Sequence, residues 1–264
     1  MVDLNKFIPP VRIELIPIKN LVSNQVYQRH LSLRHIQRMV SDFYLYQINP
    51  VKISYRDNLY YVINGQHTIE VIAAVSESRE TPVWCMIYDD LNYEQEAHIF
   101  ANQQRYQNQL SSYDLFNADI EAGDDNSIII KELVESYGLK ITPKHGVCSI
   151  GAVNCLLRIY NKYGYHVLDR TLRLTVGTWE GVPQSLAASV LRGIAHIIVT
   201  FGDSLKDDRF IQCLSKISAL EIIRDAKARN SGIVGYSEII LINYNKGKQK
   251  GLPMGLLHDK KINC

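Results

Sequence analysis

The chain has little cysteine, and its cysteines are scattered. Five cysteines in 264 residues form no Cys-x-x-Cys pair and no Cys/His cluster at the spacing of a zinc site. An odd number at irregular spacing argues against a disulfide framework, and we expect reduced thiols. We also expect no metal centre.

Long apolar runs and an excess of one charge are missing too. No apolar run approaches the roughly 20 residues that span a bilayer, and residues 1–6 lack the basic-then-apolar pattern of a signal peptide. The net charge is +2, with 46% hydrophobic and 21% charged residues, as in ordinary globular proteins. No Walker loop, Ser-His-Asp set or paired-carboxylate motif stands out. We expect a cytoplasmic protein with no membrane partner.

Residues 60–71 hold the most informative pattern. An apolar run stops at Asn64-Gly65, and a helical pattern follows a polar cluster. The N-terminus of a helix offers unpaired N–H groups and a positive dipole end, to which phosphate binds readily. Gly65 lets the backbone approach a ligand, and Gln66, His67 and Thr68 add an amide, an imidazole and a hydroxyl. The alternative is an ordinary turn with solvated polar residues.

His67 is the histidine placed for chemistry. The helix dipole favours its neutral form, which can donate or accept a proton. Glu70 lies one helical turn away and is positioned to hold the imidazole ring. If the protein is an enzyme, His67 and Glu70 are its predicted catalytic residues; otherwise His67 caps or packs. The remaining histidines, His35 among them, are predicted to be structural or solvated.

A second polar cluster lies at residues 102–109. Amide and guanidinium side chains dominate it, and the planar fork of Arg105 suits phosphate geometry. Asn102, Gln104 and Arg105 are therefore candidate ligand-binding residues. An amide-rich helix end is the simpler alternative.

With the segment before them, these stretches resemble the N-terminal domain of the ParB/sulfiredoxin superfamily over about residues 10–118. ParB proteins have an early Gln/Asn-x-Arg, a strand after proline, Gly-Glu-Arg-Arg and Glu-Asn-x-Gln-Arg. The matching segments here are Tyr27-Gln28-Arg29, Asn49-Pro50-Val51-Lys52-Ile53, Asn64-Gly65-Gln66-His67-Thr68 and Ala101-Asn102-Gln103-Gln104-Arg105.

The resemblance implies one cleft and a ligand. Its binding residues would be Gln28, Arg29, Gly65, Gln66, His67, Thr68, Asn102, Gln104 and Arg105. The ligand would be a nucleotide, with Mg²⁺ as its companion ion, and the further partners would be DNA and a second copy of the chain. Relatives of this Gly-Gln-His type resemble products of bacteria, phages and mobile elements. His67 and Thr68 replace two ParB arginines, and Gln66 replaces the sulfiredoxin cysteine, so sulfinic acid reduction is not expected.

The patterns predict an α+β fold in two domains. Residues 1–118 mix strands and helices, and residues 119–264 read as helices, with a polar break at residues 123–126. Helices at 130–137 and 149–163 are candidates for a degenerate helix-turn-helix, or for a plain pair in a bundle. Asp89 and Asp90 follow a strand, as Mg²⁺ ligands or as a solvated turn.

Three functions remain open from the sequence. The first is a ParB-like nucleotide- or phosphate-binding protein that acts with DNA or a DNA-bound partner. The second is a nuclease or nucleotide hydrolase of the same fold, with His67 and Glu70 as working residues. The third is an interaction protein with a degenerate ligand site.

Overall fold

The computed structural model describes residue 6 and residues 8–24, 26–28, 30–89, 91–107, 109–144, 146–229, 232–247 and 249–259. Packing divides the chain into two compact units, 1–108 and 109–264, which we name the sheet unit and the helical unit. Within the described residues, no helix combines the length and apolar character needed to cross a membrane.

The sheet unit is built on a five-stranded sheet. Its strands, β1 to β5, are Arg12–Pro17, Leu21–Ser23, Val51–Arg56, Leu59–Asn64 and Pro82–Tyr88, in the spatial order β1-β5-β3-β4-β2. β3 and β4 form a hairpin whose two turn residues, Asp57 and Asn58, both have positive φ, as a tight right-twisted hairpin requires. β1 is an edge strand and ends at Pro17, as predicted.

Helices of the sheet unit cover this sheet. They are α1 (Leu33–Ser41), α2 (Gln66–Val75) and α3 (Tyr93–Tyr106). Ile69 of α2 packs with Ile53 and Val62 of the central strands in the buried core. Since Gly65 directly joins β4 to α2, this packing fixes the direction in which the N-terminus of α2 points.

The helical unit consists mainly of helices. These are α4 (Ser112–Glu121), α5 (Asp125–Ser136), α6 (Val153–Tyr163), α7 (Tyr165–Trp179), α8 (Ala188–Phe201), α9 (Asp207–Leu214), α10 (Ala219–Arg229) and α11 (Ile233–Asn245). α8 is central, as the run 194–199 predicts: it packs against α6, α7, α10 and α11. The α+β class expected from the sequence is confirmed.

Two local predictions were wrong. Ser149 and Ile150 do not begin a helix but form a short strand, β7, parallel to β6 (Lys140–Ile141). This strand pair separates α5 from α6 and replaces the short turn of a helix-turn-helix. The spacing of Leu33, Ile36, Val40 and Phe43 predicts an apolar stripe on one helix face, but no described residue of α1 is buried and Leu33 is 75% exposed.

The predicted domain boundary near residue 118 stays a prediction. In the packing, α4 belongs to the helical unit because Phe116 lies in one core with Ile130 and Leu133. The polar break at residues 123–126 therefore includes the start of α5 and follows α4, a helix of the same unit.

Candidate functional site

The turn before α2 depends on one glycine. Gly65 has φ +109°, and a Cβ there would lie 3.2 and 3.3 Å from the two Val51 methyl carbons. Both the left-handed backbone and the close approach favour glycine. Ile69 N donates the first helical hydrogen bond, to Gly65 O at 3.0 Å. The N–H groups of the first turn precede this bond and form the positive end of the helix.

A cleft of about 190 Å³ opens at this N-terminus. We call it the α2 cleft. Its lining includes the predicted residues Gln28, Gly65, Gln66, His67, Thr68 and Gln104. Six of the nine predicted binding residues are therefore brought together around one cavity.

Two imidazoles face each other across this lining. The rings of His35 and His67 are 5.2 Å apart and packed edge to face. His67 Nε2 accepts a hydrogen bond from Ser32 N at 3.3 Å, and His35 Nδ1 lies 3.2 Å from Arg38 Nη2, which can only donate. These partners leave the ring N–H donors at His67 Nδ1 and His35 Nε2.

His35 was missed by the sequence analysis. It was predicted to be structural or solvated, yet it lines the α2 cleft together with Met39, four residues on. Residues four apart share one face of a helix, and this face of α1 lies toward α2. A polar residue and a methionine on one face were the available clue, but only the packing of α1 on α2 reveals it.

Gln28 is the buried polar residue of the cleft. Its side chain is 6% exposed, and its Nε2 donates to Val62 O on β4. Its Oε1 is buried and has no hydrogen-bond partner among the described residues. An unsatisfied buried acceptor costs about 1–3 kcal/mol. The arrangement is therefore suited to a bound group that brings a donor.

Glu70, which was predicted to hold the His67 ring, has an arginine partner. Arg79 instead holds Glu70 with two hydrogen bonds, from Nη1 to Oε2 at 3.0 Å and from Nη2 to Oε1 at 3.1 Å. Both oxygens of the carboxylate face this planar fork, which is the preferred geometry of the pair. The catalytic roles predicted for His67 and Glu70 stay a prediction.

The second polar cluster reaches the cleft in part. Gln104 and Phe100, four residues apart on α3, line it. Asn102 and Arg105 lie on other faces of the helix and are not lining residues, and Arg105 is exposed. Their role in ligand binding stays a prediction. Arg29 lies outside the described residues.

Residues 22–256 match the family described as "Family of unknown function (DUF6551)". The match covers most of both units. The chain belongs to this family.

Comparisons beyond DUF6551 are distant. A search of curated proteins gave no match. Among solved structures, the C-terminally truncated chromosome-partitioning protein ParB from Caulobacter crescentus, complexed with CTP-gamma-S, is 11% identical with a TM-score of 0.37. That match covers 88% of this chain and 99% of the ParB chain. A likeness at this level does not extend to ligand or function.

Asp89, the first of the two aspartates predicted as Mg²⁺ ligands, is paired with an arginine. In this DUF6551 chain, Arg12 Nε lies 2.8 Å from Asp89 Oδ2. Hydrogen bonding to Arg12 lowers the pKa of Asp89. Asp90 lies outside the described residues. Within the part of the chain that is described, no three His, Cys, Asp or Glu residues cluster as a metal site would require.

A buried ion pair supports the cleft from one side. Glu96 on α3 is fully buried, and its Oε1 accepts a bond of 3.1 Å from Arg56 Nε. Tyr27 packs on Phe100 with ring centroids 5.8 Å apart. Burial, and secondly the charge of Glu96, raise the pKa of Tyr27 to about 12, so the phenol stays neutral. This cluster ties α3 to the sheet and so positions Phe100 and Gln104.

Proposed function

We propose that the α2 cleft binds a phosphate-bearing ligand, a nucleotide or a nucleic-acid end. The observation that carries the proposal is the meeting of a glycine-opened helix N-terminus with two imidazoles and the buried Gln28 amide. Imidazole N–H groups and the helix N-terminus suit phosphate oxygens. The orphan Gln28 oxygen suits a hydroxyl or amino group on the same ligand.

The size of the cleft limits what it can enclose. Its volume of about 190 Å³ is below the roughly 300–1,000 Å³ of pockets that enclose whole small molecules. The cleft would hold one end of the ligand, with the remainder outside. This requirement fits a terminal phosphate better than a whole base and sugar.

Binding is better supported than turnover. A general base needs an orienting partner, and the predicted partner Glu70 is held by Arg79. We therefore place the hydrolase or nuclease second and the ligand-free interaction protein third. That the protein acts with DNA or a DNA-bound partner, and that it dimerises, rests on the motif resemblance alone.

The test is titration of the full chain with labelled ribonucleotides, deoxyribonucleotides and short DNA, with and without Mg²⁺. Charge-assisted hydrogen bonds contribute about 1.5–3 kcal/mol, so His67→Ala should weaken binding by about 10- to 100-fold. Glu70→Gln on the same helix is the matched control and should change affinity less than about twofold, because an exposed ion pair contributes little. Arg105→Ala should have a smaller effect than His67→Ala.

Each alternative gives a different result. Equal affinities of wild type and His67→Ala for every phosphate ligand would leave the interaction protein. Product formation that falls by about 10²–10⁴-fold in His67→Ala, with little change in affinity, would establish the enzyme instead.

A further inference from the structure

The helical unit contains its own cavity, larger than the α2 cleft. Its volume is about 580 Å³, within the roughly 300–1,000 Å³ range of small-molecule pockets. α6, α8 and the start of α11 line it. We call it the basic pocket because of the side chains described next.

Three cationic side chains surround the basic pocket. Arg158 and Lys162 lie one turn apart on α6, and Arg192 lies on α8. None of the three forms an ion pair with a described residue, and no described carboxylate lines the pocket. Unpaired like charges around one cavity repel each other and raise its positive potential, which an anion would relieve.

The pocket also has a buried polar group. His196 is 3% exposed and lines the pocket, and its Nδ1 lies 2.9 Å from Ser237 Oγ. The Ser237 hydroxyl donates to a carbonyl oxygen, of Gly193 at 3.1 Å or Ile233 at 3.0 Å. It therefore accepts the proton of His196 Nδ1.

His196 Nε2 is left as a buried acceptor. It has no hydrogen-bond partner among the described residues. Burial, and secondly the charges of Lys162 and His258, lower the pKa of His196, so the ring is neutral and Nε2 carries a lone pair. A ligand that fits must bring both negative charge and a hydrogen-bond donor.

We propose that the basic pocket is a second ligand site, which binds a phosphorylated small molecule of about nucleotide size. Arg158, Lys162 and Arg192 hold the phosphate oxygens. His196 Nε2 accepts a hydrogen bond from a ligand hydroxyl or amino group. This site is separate from the α2 cleft, and its failure or success does not depend on the function proposed for that cleft.

The test is isothermal titration of the full chain with inorganic pyrophosphate and with each of the four ribonucleoside diphosphates. We expect at least one diphosphate to bind more tightly than pyrophosphate, because it also satisfies His196. Arg158→Ala/Arg192→Ala should lose at least tenfold in affinity. The control Arg224→Ala/Lys227→Ala removes the same charge from exposed positions of α10 and should stay within twofold.

Two further measurements locate the site. The side-chain ¹⁵N signals of His196 should shift on addition of the diphosphate, and they should do so equally in His67→Ala. Loss of binding in His67→Ala but not in Arg158→Ala/Arg192→Ala would assign the ligand to the α2 cleft and overturn the proposal. Absence of binding by all five probes would overturn the proposal. It would also be overturned if Arg158 and Arg192 were needed for the binding of duplex DNA but not for the binding of any of the five probes.

Discussion

The α2 cleft and the basic pocket handle charge in opposite ways. No described lining residue of the α2 cleft is Lys, Arg, Asp or Glu, and the buried Glu96 nearby is paired with Arg56. Around the basic pocket, three cations have no described ion-pair partner. The difference teaches that charge near one cavity stabilises the fold, whereas charge around the other is available to a ligand.

The largest loss of stability should come from removing Arg56, the cation that pairs with the buried Glu96. Arg56→Met would leave the fully buried Glu96 without its cation, and breaking such a pair costs about 3–5 kcal/mol. Arg158→Met/Arg192→Met should change the free energy of unfolding by less than about 0.5 kcal/mol. Urea denaturation measures both.

A double variant tests the cause. Arg56→Met/Glu96→Leu should recover much of the lost stability, because no unpaired charge then remains buried. If the double variant is as unstable as Arg56→Met alone, packing rather than charge explains the loss. If Arg158→Met/Arg192→Met is equally destabilised, the contrast between the two cavities fails.

A smaller difference in stability should distinguish alanine substitutions at two glycines. Gly65→Ala places a Cβ at positive φ and within 3.2 Å of Val51, whereas Gly123→Ala places one at φ +81° with nothing within 4 Å. Both variants are destabilised by backbone strain, of order 1–3 kcal/mol, and only Gly65→Ala adds the close contact with Val51. Denaturant midpoints should therefore fall further for Gly65→Ala, and phosphate affinity should fall in that variant only. Equal denaturant midpoints of the two variants would show that the Val51 side chain moves to accommodate the new Cβ.

The smallest effect should appear as pH dependence in the helical unit. The pKa of His196 lies below its ordinary value of 6.5 because of burial. Below pH 6.5 the unfolded chain therefore binds a proton at this position more readily than the folded chain does. As the pH is lowered, the free energy of unfolding decreases by at most about 1.4 kcal/mol per pH unit. His196→Asn should flatten this part of the profile, whereas His166→Asn, at an exposed position, should not. Parallel profiles for all three proteins would contradict the assignment.

Local patterns predicted much of the fold. The side chains of Ser32, Asn92 and Ser111 cap their helices, and the sequence alone indicates such caps because they need only residues three apart. β2 was missed because three residues show no periodicity and its parallel partner, β4, is distant in sequence. The strand at Ser149 was missed because two residues show no periodicity.

The two candidate sites also differ in how far the sequence predicts them. Gly65 to Thr68 are consecutive, so a motif finds them, whereas the rotation of α3 that points Gln104 to the cleft and Arg105 away from it depends on packing. The basic pocket draws Arg158 and Arg192 from different helices. The spacing of Arg158 and Arg192 along the chain does not indicate a shared site.

The register of the sheet has a consequence for synthesis of the chain. Arg12 of β1 pairs with Ile87 of β5, whereas β3 and β4 meet across a two-residue turn. The hairpin can form as soon as it leaves the ribosome, but β1 must wait until β5 has emerged, because its only partner strand in the described sheet is made last. We therefore expect nascent chains that end before residue 82 to leave the backbone of β1 without its partner strand and Ile16 outside its core, and to require protection by chaperones.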